Sequence, residues 1–552
     1  MTKQEKRRSK AILSSLVAVL AVAVNMSQTV LANEPPKLVV CINVDQLRTD
    51  HLLNFRALYG DQGFRRLLSN GIVYPSVDFN LNPINESSAI TSIYTGTYPS
   101  THGITSDKIY DKDSHQYKSV LFDKSYLGNY TSERYSPKSL LVSTIGDQLK
   151  DASSGLASVY SIAPDAEAAM LSAGSEADGA FWIDNTRGKW ATSTYYSKPI
   201  PWFVDKLNNN PSESLSGRIG SIVWKPLKKI NDKLSPYART QSQFSYRIGG
   251  NVDRYKKTPL INEEVTRLAK DFVEYNGYEV SNRPNLLLIT YSAAPSSIAA
   301  DDGSGAELQD TYVRLDEQVG QLLNSIDHKV GINNCVVMLC GTGYVREKAP
   351  NSISLNGTKK RRVFSPERCR ALLNMYLMAV YGQGNWVTSY RDGLITLNRK
   401  LIEDKKLDIA EVQRKAASFV SEMSGVDECI PTYLFQGEGK VDFADNLLAH
   451  SLHSSTQADL AITILPGWHI EEAGNDNRTE YNQSRWYNAP CESPLIFYGG
   501  NIKSNKEFNA RTSVLNIAPT LGYIFRIRPP CNRGKILNEI LQQQTQVTQI
   551  RK

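Results

Sequence analysis

The sequence predicts an α/β fold, in which a doubly wound and mostly parallel sheet is flanked by helices. Two observations lead to this prediction. Short, continuously apolar runs indicate strands that are buried on both faces, and between them lie longer segments with apolar residues at helical spacing. Strands of this kind that alternate with helices are typical of parallel sheets covered on both sides. With 552 residues, the chain is long enough for several domains or for one large core with insertions.

The predicted elements follow one another along the chain. The apolar runs predict strands at 38–44, 285–291, 335–340 and 495–498. The helical patterns predict helices at 63–68, 263–275 and 308–326. In open α/β sheets, chemistry takes place beyond the carboxyl ends of the strands. We therefore expect a site in the loops that follow Val44, Tyr291 and Cys340.

Residues 1–32 have the three parts of a secretory signal peptide. Five Lys or Arg lie among the first ten residues, an uncharged apolar stretch covers 11–24, and Val30-Leu31-Ala32 suits signal peptidase. The apolar stretch is shorter than the roughly 20 residues that a spanning helix needs. We expect a bacterial protein that is exported to the periplasm or secreted, with this segment either cleaved or retained as an anchor. No membrane span is expected after cleavage.

Charge and composition exclude several classes of protein. Without residues 1–32, 58 basic residues face 55 acidic ones, so the net charge falls from +7 to +3. This near-neutral balance predicts no nucleic-acid partner. An apolar content of 41% with 22% charged residues excludes a multi-span membrane protein, a disordered chain and a collagen-like fibre. The seven cysteines have no zinc-ribbon spacing.

Shifts in composition divide the chain into core and inserted segments. The predicted core parts are 37–190, 257–350 and 455–540. Segment 191–256 is rich in Trp, Tyr, Pro and Lys, and segment 351–454 carries the basic run 359–362 and few strong strands. We expect both segments to form a cap beside the core, with the basic run as a solvated loop. The last residues, 541–552, are predicted to be a flexible tail.

A series of short motifs then makes a family resemblance apparent. The motifs are VDQLR at 44–48, SIYTG at 92–96, YPSTHGI at 98–104, GAFWID at 179–184, TSTYY at 192–196, DTYVRLD at 310–316, PLIFYG at 494–499 and IAPTL at 517–521. In kind and order they resemble the alkaline phosphatase superfamily, with its type I phosphodiesterase and nucleotide pyrophosphatase members. Within this superfamily, the branch that the sequence resembles most is that of the PafA-type phosphatases of Bacteroidetes. The resemblance runs from about residue 37 to residue 540 and implies an alkaline-phosphatase-like α/β core.

The resemblance also implies a chemistry, namely the hydrolysis of phosphate esters with two zinc ions. Members of the superfamily use an Asp after the first strand, a Thr or Ser nucleophile, an Asp-x-x-x-His pair, an Asp-His-Gly and a further His. Imidazole and carboxylate groups are suitable zinc ligands, and the charge of the metal activates the nucleophile and stabilises the developing oxyanion.

Most of these positions hold other residue types in this chain. The first Asp is present as Asp45, the one metal ligand that the resemblance leaves in place. The nucleophile position holds Glu86, so no catalytic residue is predicted. The remaining ligand positions hold Pro295, Ala299, Gly341, Thr342 and Glu492. The positions of the phosphate-binding Lys-x-Arg pair and a substrate-binding Asn hold Asp165, Glu167 and Asp107. None of the seven histidines lies in a ligand motif of the family, and His450 and His453 are not favoured as ligands.

These differences predict an exported pseudophosphatase that acts by binding an unknown protein or a cationic small ligand, with no cofactor. The mapped cleft has six carboxylates and no mapped cation, and crowded carboxylates raise one another's pKa and repel a phosphate dianion.

Three alternatives remain open. The carboxylates could simply be hydrated in an open cleft. They could hold Ca²⁺ or Mg²⁺ through Asp45, Glu86 and Glu492, with Asp301 or Asp302. The chain could also be a metal-dependent phosphoric-ester hydrolase, with zinc in an unorthodox site.

Overall fold

The computed structural model describes most of the chain after the predicted signal peptide. The described residues are 35–111, 116–196, 199–231, 234, 243–294, 304–348, 362–391, 393–435, 447–453, 458–465, 468–470, 486–500, 502–503, 506–508, 510–531 and 533–541. Several predictions fall outside them: the signal peptide, the tail from 542, most of the basic run, and four candidate site residues, Pro295, Ala299, Asp301 and Asp302.

The strands alternate with helices along the chain, as predicted. In chain order the strands are β1 (Leu38–Asp45), β2 (Ile72–Tyr74), β3 (Val77–Asp78), β4 (Lys108–Asp111), β5 (Gln116–Ser119), β6 (Gly128–Asn129), β7 (Val159–Ile162), β8 (Gly179–Ile183), β9 (Trp190–Ser193), β10 (Val223–Trp224), β11 (Tyr246–Arg247), β12 (Asn285–Ser292), β13 (Cys335–Gly341), β14 (Tyr344–Lys348), β15 (Val363–Phe364), β16 (Val387–Arg391), β17 (Leu394–Leu397), β18 (Val426–Pro431), β19 (Leu460–Ile464), β20 (His469–Ile470), β21 (Trp486–Pro490), β22 (Leu495–Gly499), β23 (Lys506–Glu507) and β24 (Thr512–Ser513).

The α-helices vary widely in length. They are α1 (Thr49–Asn54), α2 (Phe64–Asn70), α3 (Glu86–Thr95), α4 (Pro99–His102), α5 (Ile145–Ala152), α6 (Ala166–Ala173), α7 (Trp202–Asn209), α8 (Leu215–Arg218), α9 (Val252–Lys256), α10 (Ile261–Tyr275), α11 (Ser304–Lys329), α12 (Pro366–Tyr381), α13 (Arg399–Asp404), α14 (Ile409–Ser421), α15 (Leu447–Ser451) and α16 (Ile517–Phe525). Within the described ranges, no helix is both long enough and apolar enough to cross a bilayer.

One large mixed sheet organises the molecule, which confirms the predicted α/β class. Its strand order is β23-β2-β22-β13-β1-β12-β7-β8-β9-β6. The central strands β13, β1, β12, β7 and β8 run parallel, and antiparallel pairs lie towards both edges. Cys41 in the middle of β1 lies beside Leu288 of β12 and Met338 of β13.

The sheet is buried on both faces, because successive residues of a strand point to opposite sides. Along β1, Leu38, Val40, Ile42 and Val44 belong to one apolar cluster, whereas Val39 and Cys41 belong to another. Helices α10 and α11 cover the first face. Helices α3, α6 and α16 cover the second. This arrangement explains why the strands of the sheet centre are apolar without alternation.

The predicted cap segment 191–256 is instead part of the main body. Its first residues continue β9 of the large sheet, and Phe203, Trp224 and Tyr255 are buried in the same cluster as β1. Aromatic residues are abundant here because they fill the core, and they do not form a separate lid. In the described residues of 191–256, these three side chains thus pack into the main core.

The second inserted segment has its own sheet and its own apolar cluster. Strands β16, β17, β19 and β18 form a four-stranded sheet, and α12 and α14 pack on it around Leu373, Trp386 and Val412. Strand β19 lies beyond the predicted boundary at 454, because Leu460–Ile464 is needed to join β17 to β18.

Candidate functional site

The candidate site lies where the parallel strands of the large sheet end. Asp45 is the last residue of β1, and the register aligns Val44 with Gly341 at the end of β13. Asp165 follows β7 and is the N-cap residue of α6, with Glu167 in the first turn. Since these strands run in the same direction, their carboxyl ends place these side chains at one edge of the sheet.

Asp45 is buried and bound by groups of the chain itself. The Thr342 hydroxyl donates a hydrogen bond to Asp45 Oδ1 over 3.0 Å, and Gln46 Nε2 donates to Oδ2 over 2.9 Å. Burial raises the pKa of Asp45, whereas hydrogen bonding from Gln46, Tyr344 and Thr342 opposes this shift.

Glu86, which the resemblance places at the nucleophile position, begins α3. Asn85 caps this helix by accepting from the Ser88 backbone N–H, while Ser88 bonds back to the Asn85 backbone N–H. This capping box agrees with a structural role for Ser88 and places the Glu86 side chain at the helix start.

The pKa of Glu86 is well above its usual range, mainly because the side chain is buried. Four further carboxylates raise it through their negative charge: Asp45, Asp165, Glu167 and Asp107. Five of the six predicted acidic residues are therefore brought together.

Glu167 and Asp165 differ in their partners. Glu167 accepts a hydrogen bond of 2.8 Å from the Ser119 hydroxyl, and burial raises its pKa to about 7. Asp165 is paired with Lys256, whose Nζ lies 2.8 Å from Asp165 Oδ1. The Lys256 side chain is only 9% exposed, so this ion pair is shielded from water on one side.

Asp107 also has a cationic partner. Arg391, at the end of β16 in the second inserted segment, lies 3.3 Å from Asp107 Oδ1. The same guanidinium lies 5.0 Å from the centre of the Tyr117 ring, a cation–π distance. The prediction of a cleft without cations is therefore wrong, because Lys256 and Arg391 reach it from distant parts of the chain.

Glu492 has a different environment from the other acidic residues. Its carboxylate pairs with Arg511 over 3.1 Å, and both side chains are more than half exposed. Arg511 also lies 3.6 Å from Asp78. Glu492 was predicted to lie among the clustered carboxylates, but it forms an exposed ion pair with Arg511 instead.

The two zinc ions that the resemblance implies do not fit the donor set at these positions. Gly341 has no side chain, the Thr342 hydroxyl is bonded to Asp45, and Glu492 is paired with Arg511. Across the part of the chain that the structure describes, no three His, Cys, Asp or Glu residues are arranged to hold a metal ion. Zinc favours imidazole and thiolate ligands, and none is present at these positions.

Two of the described histidines, His102 and His450, have structural surroundings. His102 is fully buried between the Ser92 hydroxyl and the Ile104 backbone N–H, and burial lowers its pKa to about 3. The His450 ring stacks on Tyr98 at 4.2 Å.

A comparison with known families agrees with this architecture. Residues 39–487 match the model of the type I phosphodiesterase / nucleotide pyrophosphatase family. The chain belongs to this family. Its members are phosphoric-ester hydrolases of the alkaline phosphatase superfamily, so the predicted family is confirmed.

Individual relatives cover nearly the whole chain. "Alkaline phosphatase PafA" of Elizabethkingia meningoseptica is 26% identical over 533 residues, which span 92% of this chain and 94% of the relative. A Myroides odoratus protein named "Calcium-transporting ATPase" is 26% identical over 542 residues, spanning 92% and 95%. The crystal structure of wild-type alkaline phosphatase PafA superposes with a TM-score of 0.78 at 24% identity. The superposition covers 93% of this chain and 100% of the PafA chain.

Sequence reasoning missed three features of the site. Lys256 lies 91 residues from its partner Asp165, and Arg391 lies 284 residues from Asp107. No local sequence pattern predicts contacts between residues that are so far apart in the chain. The role of Thr342 was also missed, although its place next to the end of β13 gave a signal, since a hydroxyl there can reach the end of the neighbouring β1.

Proposed function

We propose that this chain is a non-catalytic member of its family of phosphoric-ester hydrolases, and that it acts by binding a partner through the acidic cleft. The observation that carries the proposal is that Glu86, which the resemblance places at the nucleophile position, has four carboxylates around it. The family's reaction needs a hydroxyl nucleophile and positive charge to stabilise the developing oxyanion.

Electrostatics also opposes the family's substrates at this site. A phosphate ester brings negative charge to a place where Asp45, Glu86 and Glu167 are already buried close together. Lys256 and Arg391, two cations that reach the cleft, are each paired with a carboxylate. A phosphate dianion would therefore either be repelled by the ionised carboxylates or require them to take up protons.

The same charges favour a cationic ligand, such as an amine or a basic side chain of a protein partner. Lys256 and Arg391 support this choice, since an ammonium and a guanidinium group already pair with Asp165 and Asp107. Charge-assisted hydrogen bonds to carboxylates are the stronger class of hydrogen bond.

Family membership favours a second candidate, a metal-dependent phosphoric-ester hydrolase that uses other ligands. Relatives named alkaline phosphatases match over nearly the whole chain. Such an enzyme would need donors other than Gly341, Thr342 and Glu492.

An assay on the purified protein separates the two candidates. A phosphomonoester and a phosphodiester are offered with zinc, magnesium or calcium, and turnover is compared between the natural chain, Asp45→Ala and Asp61→Ala. Asp61 is a suitable control because its side chain is 80% exposed. We expect no metal-dependent turnover by any of the three proteins. Turnover that Asp45→Ala abolishes and Asp61→Ala retains would establish the hydrolase instead.

A further inference from the structure

We infer that hydrogen bonds within the chain have taken the place of a metal ion at Asp45. We also infer that the loop after β13 is packed too tightly to regain a ligand side chain. The inference concerns residues 45–47, 341–346 and 493, all of which the structure describes. Its basis is the disagreement between the zinc ions that the family implies and the donors that surround Asp45.

Both oxygens of the Asp45 carboxylate are bound by neighbouring side chains. Thr342 donates to Oδ1, and the same hydroxyl accepts from the Gln46 backbone N–H over 2.9 Å. Gln46 Nε2 donates to Oδ2, while its Oε1 accepts from the Arg346 backbone N–H over 2.8 Å. The Thr342 hydroxyl and the Gln46 side chain thus each make two bonds, and together they join the end of β1 to the residue after β13 and to the middle of β14. A buried carboxylate needs such partners, whether protein donors or a metal.

The backbone at Gln46 is in a conformation that needs support. Its φ is +60°, in the left-handed region that non-glycine residues seldom adopt. Such a conformation persists when surrounding contacts impose it. Here the backbone N–H and both ends of the side-chain amide of Gln46 are hydrogen-bonded. We conclude that the network fixes this strained residue.

Gly341 shows that the family's ligand position has also lost its space. A Cβ at this position would lie 2.8 Å from Ser493 Cβ and 2.9 Å from the Leu47 carbonyl oxygen. Ser493 is fully buried, donates to Leu47 O over 2.7 Å and accepts from the Gly343 backbone N–H over 3.0 Å. Because Ser493 is held by both bonds, any side chain at 341 requires these elements to shift.

It follows that the region around Asp45 folds without a bound metal ion. The inference does not depend on the proposed function. A hydrolase with its metal elsewhere would satisfy the inference. A non-catalytic protein that binds zinc at Asp45 would contradict the inference and leave the proposed function intact.

The first test measures zinc binding to the full protein. Calorimetric titration and metal analysis are combined with thermal unfolding in the presence of zinc or a chelator. We expect no stoichiometric zinc at the site and an unchanged Tm. Stoichiometric zinc that is lost in Asp45→Ala and kept in Asp61→Ala would overturn the inference.

The second test restores the family's residue types with Gly341→Asp and Thr342→His together. We expect this double variant to have a lower Tm than the natural chain and to gain no zinc, because the introduced side chain meets Ser493 and Leu47. If zinc binds stoichiometrically and raises the Tm of the variant, the loop is not closed against ligands.

The third test examines the hydrogen bonds themselves. Thr342→Val removes the hydroxyl with little change in shape, and Thr311→Val is the matched control, since Thr311 is buried but bonds only the Glu307 carbonyl. We expect a larger fall in Tm for Thr342→Val, with Thr342→Ser close to the natural chain. The Asp45→Asn variant has no charge at this position, so we expect Thr342→Val to cause a smaller further fall in Tm there. If Thr342→Val alone does not fold, the double variant Asp45→Asn/Thr342→Val is compared with Asp45→Asn instead. Equal losses for Thr342→Val and Thr311→Val, or an undiminished loss in the Asp45→Asn background, would refute the network's role.

Discussion

At the scale of single residues, the cleft shows how neighbours decide what a carboxylate does. The resemblance places Asp45 as a metal ligand, and in the structure its oxygens are bound by Thr342 and Gln46. Glu167 accepts a hydrogen bond from Ser119, and burial raises its pKa to about 7. The two groups therefore contribute to stability in different ways, although both lie at the same edge of the sheet.

The raised pKa of Glu167 predicts a pH dependence of stability. The folded protein retains this proton up to about pH 7, whereas the unfolded chain loses it near the ordinary value of 4.5. Since the folded state binds more protons in this window, the contribution of Glu167 to stability falls as pH rises from about 4.5 to about 7.

Glu167→Gln keeps an acceptor for Ser119 and removes the titration. We expect its Tm to approach that of the natural chain near pH 4 and to exceed it near pH 8. Thermal unfolding across this range, with the exposed Glu411→Gln as control, measures the effect. A constant difference in Tm between Glu167→Gln and the natural chain at every pH would contradict the prediction.

At the scale of elements, the long helix α11 binds the segment around β10 and holds it against the main core. Asp310 on α11 is buried and accepts from Trp224 Nε1 over 2.7 Å and from the Leu227 backbone N–H over 2.6 Å. Arg314, one turn later, donates to the same carboxylate over 2.8 Å. One side chain on α11 thereby holds β10 against the helix.

We expect Asp310→Asn to be strongly destabilising, because it removes the buried negative charge that faces Arg314 and leaves this guanidinium with Glu263, whose side chain is 40% exposed. Breaking a buried ion pair costs about 3–5 kcal/mol. The matched control is Asp61→Asn, which breaks the exposed pair with Arg65 and should cost under about 1 kcal/mol. Urea denaturation measures both free energies of unfolding, and similar losses for the two variants would contradict the assignment.

At the scale of the whole molecule, the described core divides into separate apolar clusters. Two of them cover the faces of the large sheet, and a third surrounds the four-stranded sheet of the second inserted segment. Arg391 extends from this smaller sheet to Asp107 at the cleft. A separate cluster allows the inserted segment to open without disrupting the large sheet.

We therefore expect Leu373→Ala to act locally. Leu373 is fully buried in the third cluster, and removing such a side chain costs about 2–5 kcal/mol. Hydrogen exchange should become faster in α12, α14 and β16 to β19, while β1 and β12 stay protected. Leu288→Ala in β12 is the control and should weaken the protection of the large sheet. Faster exchange in β1 on replacing Leu373 would show that the clusters unfold together.

Local patterns explain why so much of the fold was predictable. The apolar run at 38–44 and the helical spacing at 308–326 each correspond to an element of the structure, β1 and α11. For segment 191–256, the sequence did not indicate that Phe203, Trp224 and Tyr255 pack into the main core, because aromatic residues look alike whether they line a cap or fill a core. Composition does not tell which surface a Trp covers.

By itself, the sequence determined the fold class, the family and the edge of the sheet where the acidic residues meet. These follow from periodicity and from motifs, which are properties of neighbours along the chain. Only the tertiary structure decided that Lys256 and Arg391 neutralise Asp165 and Asp107, and that Thr342 binds Asp45. The physical reason is that ion pairs and hydrogen bonds depend on distances of about 3 Å between side chains. Residues far apart in sequence reach such distances only after the chain has folded.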